Sequence, residues 1–423
     1  MDICVVGAGV IGLTTAHALS RRGHRVTLVD AHGEAGRGSS LANGAQLSYS
    51  YVAPLADPSV WANLPAYLLD PRSPLSFRPR WDPAQWRWIA RFLMACNGQA
   101  SARATAELLR LAFFSRDCLA GLQRELRLDF DLRSAGKLVM LSSPAALAAA
   151  RRQVALQSGM GCEQQLLSAV ECIDIEPALA ASRARWQGGV YTASEQVGDC
   201  ARFCAQLAAQ LAARPGAVTF AYHTDITGGV LEGGRVKALR SSRGDVTADA
   251  FVLANGVGAA RLAGRLGFGL PIYPLKGYSV TLDTGIGDPA RAPSVSITDL
   301  AKKIVYARIG ARLRVAGRVD IVGHDLSLDR RRWRALVQAA RQLFPALSAE
   351  QDDVAPWAGL RPATPGGKPI IGRGPLANVY LNAGHGALGW TLACGSAELL
   401  ACAIDARPGP IDGGAFAYAP SRA

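Results

Sequence analysis

Two glycine-rich turns near opposite ends of the 423-residue chain carry the clearest chemistry. The first, Gly7-Ala8-Gly9-Val10-Ile11-Gly12, follows the apolar run Ile3 to Val6 and opens a helical stretch, Leu13 to Arg22. Val26 to Val29 then reads as a second strand, closed by Asp30, 18 residues past the last glycine. In this spacing the first glycine makes a tight turn and the second lets a pyrophosphate approach the backbone. The third lets helix pack on strand, and the acid binds a ribose hydroxyl. The second turn, Gly384-His385-Gly386 with Gly389-Trp390-Thr391, follows the short strand Val379 to Leu381 and heads a small-residue helix. Its bare N–H groups and helix N-terminus suit an electron-rich ligand. The two turns read as opposite ends of one flavin site.

Three features favour FAD over NAD. The dinucleotide motif comes first in the chain. The segment Arg37-Gly38-Ser39-Ser40-Leu41-Ala42-Asn43-Gly44 supplies donors for a diphosphate and a flavin ring. A third strand, Ala250 to Leu253, ends in Ala254-Asn255-Gly256, and no second GxGxxG offers a separate nicotinamide domain. The expected contacts to FAD are Val6, Gly7, Gly9, Val10, Ile11, Gly12, Asp30, Ala31, Arg37, Ser39, Ser40, Asn43, Gly44 and Gln46 from the N-terminal part. Ile226, Ala254, Gly256, Gly384, His385, Gly386, Gly389, Trp390 and Thr391 complete the set.

Composition narrows the class. The net charge of +13 is carried mostly by Arg and is dispersed, which leaves attraction to anionic lipid, attraction to nucleic acid and plain Arg-rich composition as competing readings. No run of 18 apolar residues occurs, so no spanning helix is expected, and a first strand at residue 3 leaves no room for a cleavable leader. Nine scattered cysteines show no CxxC and no metal spacing. Cys200 and Cys204 share one helix face and read as packing; reduced thiols in a cytoplasmic protein are the default. No metal site is visible.

The elements that must position these residues read as an α/β fold of mixed α+β character. It consists of a Rossmann-like FAD-binding domain of several discontinuous segments with an interleaved mixed-sheet substrate domain. Residues 1–50, 144–180, 196–270 and 356–423 are assigned to the first, and 51–143, 181–195 and 271–355 to the second. Residues 53–83 are rich in Pro and are expected to be irregular. Asp82-Pro83 caps a helix to about Cys96, and a second helix covers roughly Ala102 to Glu125. Helices are also expected over Pro144 to Gln157, Gly198 to Ala213 and 329–344. A three-stranded meander precedes Val252, and strands dominate from Pro271 to Val322. The chain returns to the nucleotide domain near Trp357.

Taken together, the chain resembles the superfamily of D-amino acid oxidase and glycine oxidase, and within it the flavoprotein subunit of the bacterial D-amino acid dehydrogenases. The stretches that carry this are GAGVIG, Ser39–Asn43, Ser115-Arg116-Asp117-Cys118-Leu119, Ile175-Glu176-Pro177-Ala178-Leu179 and Gly198-Asp199-Cys200. Tyr273-Pro274-Leu275-Lys276-Gly277-Tyr278-Ser279, Gly359-Leu360-Arg361-Pro362 with Thr364-Pro365, and Gly384–Ser396 are long enough to be specific. The resemblance implies oxidation of the Cα–N bond of a D-amino acid by hydride transfer to flavin N5. Hydrolysis then gives a 2-oxo acid and ammonia, and the electrons pass to a respiratory quinone. It implies noncovalent FAD, since covalent relatives use a Cys before the C-terminal flavin region and residues 353–372 contain none.

Arg361, in the GLRP segment, is the implied clamp on the substrate carboxylate, for which its planar fork is suited. Oxidases of the superfamily add a Tyr on the strand matching Lys303 to Arg308, where this chain has Ile304. The second contact therefore falls to Tyr278 first, then Tyr51, with Tyr306 reading as core. Lys276 is expected to order its loop or hold the flavin edge, and His385 to contribute its backbone more than its ring. The segment 78–93 mixes Arg with Trp86, Trp88 and Phe92, which fits either an interfacial membrane helix or inward packing. A peripheral place on the cytoplasmic face of the bacterial inner membrane, or in the cytoplasm, follows from the resemblance. Two alternatives stand beside this reading. One is an enzyme for glycine, sarcosine, proline or D-hydroxyproline; the other, of a different class, is a tRNA-modifying flavoprotein, although no nucleic-acid partner is expected.

Overall fold

The computed structural model describes residues 1–69, 73–214, 216–285, 292–347 and 354–420. Two sheets dominate. The first has six strands in the order 370–373, 379–383, 250–253, 2–6, 25–29, 218–221, all parallel except the 370–373 edge. Its central strands are mostly apolar, as a sheet covered on both faces requires: Cys4, Val5, Leu28, Val29, Phe251, Val252 and Leu381 are fully buried. One layer over it is the helix Val10–Ser20, packed against the last helix, Gly389–Ile404, which in turn lies on the long helix Gly98–Leu126.

The second sheet is mixed. Its order is 354–363, 273–283, 312–321, 304–309, 296–299, 137–141, 188–192, 164–168, with 75–77 alongside the end of 312–321. Helix Arg330–Leu343 covers it with Leu336, Val337, Ala340 and Leu343, and Phe344 meets Tyr306 edge-on, so the Arg-rich start of that helix is its solvated face and Tyr306 is core. The meander forms a small separate sheet over 226–232, 235–241 and 244–246.

The structure corrects three expectations. The described part of 53–83 is not irregular throughout: a helix spans Ser59–Leu69 and a strand Leu75–Phe77. Pro65 sits inside that helix, where it removes only one backbone donor, while Val60 anchors the helix in the core. The chain does not rejoin the nucleotide domain near Trp357. The strand Val354–Ala363 pairs antiparallel with 273–283, Arg361 opposite Leu275, so the first sheet resumes only at Ile370. Residues 144–180 do not belong with the nucleotide sheet either. Strand Gln164–Ser168 pairs with Gly188–Thr192 in the second sheet, and helix Pro144–Ser158 packs on that hairpin through Leu147, Ala150 and Val154. One stretch of the described residues, 386–404, is long and apolar enough to cross a membrane, but two-thirds of it (67%) is buried against the rest of the protein, as in a core helix.

Candidate active site

A cavity of about 760 Å³ lies between the carboxyl ends of the first sheet and one face of the second. Its floor is backbone. Gly7 adopts φ +107°, and a Cβ there would meet Asn255 Cα at 2.7 Å. A Cβ on Gly12 would lie 1.7 Å from Gly7 O, so this position is glycine because the helix Val10–Ser20 presses directly on the turn. That helix has no acid in its first turn, and Ser40 Oγ accepts from its first N–H, Val10 N, at 3.0 Å. The Ser39–Gly44 segment is thereby stretched between the two walls. Ser39 Oγ donates to Leu360 O at 2.6 Å and Ala42 O accepts from Ser279 Oγ at 2.7 Å. Asn43 O accepts from Arg314 Nη1 at 2.8 Å, and a Cβ on Gly44 would come 3.2 Å from Val305 Cγ2. Asp30 closes the second strand, its Oδ2 accepting from Ala8 N at 2.6 Å and its Oδ1 from His32 N at 2.8 Å.

At the other end, Gly386–Leu388 make a single 3-10 turn that runs into helix Gly389–Ile404, again without a side-chain cap or a first-turn acid. Two helix N-termini, each without a first-turn acid, thus border one cavity, a place for two electron-rich groups. Together with the glycine cradle, this donor set fits a flavin dinucleotide, its diphosphate at the first helix and its pyrimidine ring at the second.

Most of the sequence-predicted contacts line the cavity: Val6, Gly7, Gly9, Val10, Ile11, Asp30, Ala31, Arg37, Ser39, Ser40, Asn43, Gly44, Gln46, Ile226, Ala254, Gly256, His385, Gly386, Gly389, Trp390 and Thr391. Gly12 and Gly384 do not. Gly12 is a packing glycine, and Gly384, at φ +81°, turns the chain against Thr364 and Ile272. Arg37 pairs with Glu34. The His385 ring is turned away from chemistry: Nε2 shares a hydrogen bond with Ser396 Oγ at 3.0 Å, and burial drives its pKa down to about 3. The Trp390 indole packs on Phe130 and Phe203 and donates to Gly198 O, leaving its backbone for the cavity.

The roof is made of side chains from the second sheet. Arg361 lies flat on Gly277, where a Cβ would meet the guanidinium carbon at 2.4 Å, and its Nη1 donates to Arg318 O at 3.0 Å. Burial lowers the Arg361 pKa, and Asp320 opposes this. Tyr278 borders the cavity only along its strand: its ring is buried in the core of the second sheet with Val280 and Leu282, and its hydroxyl donates to Asp320 Oδ2 at 3.1 Å. A phenol has one proton, so a Tyr278 committed to Asp320 is not a donor to a substrate carboxylate. Lys276 does not line the cavity. It points to the 325–327 loop, donating to Ser327 O, and so orders that loop, which carries Leu326 to the cavity edge. Tyr51 lines the far end with its ring 4.7 Å from Lys137 Nζ.

Several lining residues escaped sequence reasoning: Ser48, Lys137, Arg261, Lys303, Leu326 and Trp357. Lys137 opens a five-residue strand that is buried throughout, where a lysine looks like an ordinary solvent-facing strand end. The Gly277 and Gly359 positions carried a signal, since each opens room for a large neighbour, Arg361 and Trp357.

A cavity roofed by a mixed sheet over a dinucleotide cradle defines a flavin-dependent oxidoreductase. The chain belongs to the DAO family of FAD dependent oxidoreductases, whose sequence profile it matches over residues 2–403. It is 48% identical over 425 residues to D-amino acid dehydrogenase 2 of Ralstonia nicotianae, covering 99% of this chain and 100% of that one. It is 49% identical over 411 residues to D-amino acid dehydrogenase 2 of Pseudomonas aeruginosa, covering 97% and 96%. Among solved structures, glycine oxidase from Geobacillus kaustophilus superposes with a TM-score of 0.79 at 23% identity, over 100% of this chain and 98% of the other. L-proline dehydrogenase from P. horikoshii superposes with 0.73 at 18%, over 96% and 94%.

Proposed function

We propose that this chain is an FAD-dependent dehydrogenase that oxidises D-amino acids to 2-oxo acids and ammonia and passes the electrons to a membrane quinone. The observation that carries this reading is the placement of Arg361 on the roof of the same cavity whose floor is the dinucleotide cradle. The names of the relatives supply the substrate class. In this reading Arg361 holds the substrate carboxylate through a charge-assisted fork, leaving Cα to face the flavin. The flavin accepts the Cα hydride when bound. The cradle residues Gly7, Gly9, Ser40 and Asp30 would hold its dinucleotide part, and the backbone at Gly386–Thr391 its ring. Among the described residues, the carboxylates that line the cavity are Asp30 and Asp225, both on the nucleotide wall, so Arg361 would meet the substrate without a facing acid on the roof. No cysteine lines the cavity, which supports noncovalent FAD. Acid precipitation should leave all the yellow colour in the supernatant; colour in the pellet would refute that.

Contact with anionic lipid is supported by an exposed aromatic surface beside arginines. Trp81 is fully exposed, and Trp61, Trp86 and Met94 stand out from the same region, next to Arg78, Arg80 and Arg87. Trp88 and Phe92 are not part of it: they stack on each other in the core, and Trp88 Nε1 donates to Ala363 O at 2.8 Å. A weak apolar anchor plus basic charge gives reversible, salt-sensitive binding.

The test is a panel of D- and L-amino acids, glycine, sarcosine, D-proline and D-hydroxyproline with an artificial dye, a quinone analogue and oxygen as acceptors. D-amino acids with dye or quinone should turn over fastest; a preference for glycine or for oxygen would overturn the reading. Trp81→Ser with Trp86→Ser should weaken binding to anionic vesicles and slow quinone reduction while sparing the dye. Unchanged vesicle binding would remove the membrane part.

A further inference from the structure

The far end of the cavity holds a buried cation that the proposed reaction has not used. Lys137 Nζ donates to Gln46 Oε1 at 3.0 Å and to Ser48 Oγ at 2.8 Å, and Lys137 is only 4% exposed. Both acceptors are fixed. Gln46 Nε2 donates to Ser296 Oγ and Ile297 O, which turns its carbonyl to the lysine. Ser48 N donates to Thr391 Oγ1 at 3.1 Å, and Thr391 is the third residue of helix Gly389–Ile404. One residue, Ser48, therefore ties the ammonium to the helix N-terminus that borders the cavity. An ammonium has three N–H donors; two are taken, and Lys137, Gln46, Ser48, Tyr51 and Thr391 all line the cavity.

We propose that Lys137 is an electrostatic partner of the flavin, a fixed positive charge that joins the helix N-terminus in stabilising the negative charge a flavin ring takes on when reduced. This rests on the FAD reading above. A buried cation beside a site of developing charge acts strongly because little water screens it and it need not reorganise. The consequence is a raised flavin potential, one that makes electrons available to a quinone-level acceptor while easing their removal from the amine.

The groups that face Lys137 set its own titration. Burial lowers its pKa to about 8, and Glu195 opposes that fall. Burial holds the Glu195 carboxyl above the usual range, its Oε1 accepting from Ser50 N at 2.8 Å. The Tyr51 phenol and the Cys162 thiol beside it are both pushed up by burial. Lys137 is therefore poised to change charge near pH 8. Reduction to the anionic flavin consumes two electrons and one proton. Where Lys137 is neutral in the oxidised enzyme, the new negative charge draws a second proton onto Nζ.

The experiment is an anaerobic redox titration of the FAD-loaded enzyme against reference dyes between pH 6 and 10, for wild type, Lys137→Met and Lys137→Arg. Lys137→Met should lower the two-electron equilibrium constant at least tenfold, about 30 mV, and Lys137→Arg should restore it to within about threefold, a rescue that packing alone does not give. Wild type should take up one proton per two electrons below pH 8 and two above it; Lys137→Met should stay at one. A Lys137→Met enzyme that retains FAD and matches the wild-type potential overturns the inference. So does a wild-type proton count of one through pH 10, which decides the matter alone if Lys137→Met fails to fold. A protein that takes up no FAD at all instead overturns the cofactor reading beneath it.

Discussion

The two walls of the cavity are made of different materials. The floor is backbone: glycines at 7, 9 and 386, with Gly12 packed against Gly7 to hold the turn, and the first N–H groups of two helices. The roof is side chain: Arg361 and Lys137 standing on strands of the second sheet, each fixed by a hydrogen bond to a neighbour. A backbone wall is specified by the fold itself, so it is either present or lost. A side-chain wall can be altered one residue at a time while the fold stands. That division suits a family that keeps one cofactor and varies its substrates.

The sharpest way to break the contrast is at Gly12. Its missing Cβ would overlap a backbone oxygen, and no rotamer can relieve that. Gly12→Ala should abolish FAD retention, read as the ratio of flavin to protein absorbance after gel filtration, and should lower Tm. A Gly12→Ala protein carrying stoichiometric FAD would show that the floor is more forgiving than its geometry.

On the roof, Arg361→Ala should leave FAD bound and the fold intact. A charge-assisted contact to a carboxylate contributes about 1.5–3 kcal/mol, so kcat/KM with D-amino acids should fall from about tenfold to over a hundredfold. Arg361→Lys should recover only part of this, because an ammonium lacks the planar fork. Near wild-type kinetics would take Arg361 out of the site.

A smaller effect concerns the turn where floor meets helix. His385 ordinarily titrates near 6.5 and is held down to about 3 by burial. A histidine depressed in the folded state stays neutral while its unfolded counterpart binds a proton. Its contribution is therefore complete above pH 6.5 and is lost as pH falls toward 3. His385→Gln keeps a polar partner for Ser396 but has no proton to take up. Between pH 7 and pH 5 the stability gap between wild type and His385→Gln should close by about 2 kcal/mol, measured from urea midpoints. A gap that stays constant would show that the ring finds a proton partner in the fold.

The same division explains what the sequence made legible. The floor could be read because backbone geometry leaves a residue-type signature: only glycine fits at 7 and 12, and Asp30 at the end of the second strand accepts from Ala8 N. The roof could be read only in part. Arg361 was found through the GLRP segment, whereas Lys137 was invisible, because the strand partners that bury it are far away in the chain. Strand 137–141 pairs with 296–299 and 188–192, and neither pairing is written into KLVML. The misplaced segments have the same cause. Helix Pro144–Ser158 and strand Val354–Ala363 look alike in either domain until their long-range partners are known.

Tyr278 gives the finest test of the roof. With Ile304 where oxidases of the superfamily carry a Tyr, Tyr278 is the first candidate to replace that carboxylate contact, while the hydrogen bond to Asp320 gives its hydroxyl a different task. Asp320 also lies 3.1 Å from Arg332 Nη2, and its charge opposes the burial of Arg361. In that geometry Tyr278 packs its ring in the core behind the cavity wall and helps hold Asp320 in place. Tyr278→Phe keeps the ring and removes one buried hydrogen bond, a loss of about 1 kcal/mol, or roughly fivefold. That loss should fall on stability, with kcat/KM changed by less than about threefold and the Arg361→Ala effect undiminished in the double variant. If Tyr278→Phe instead costs as much as Arg361→Ala, and the two losses fail to add, the hydroxyl has left Asp320 for the substrate. The carboxylate would then be held by two groups of the roof rather than one.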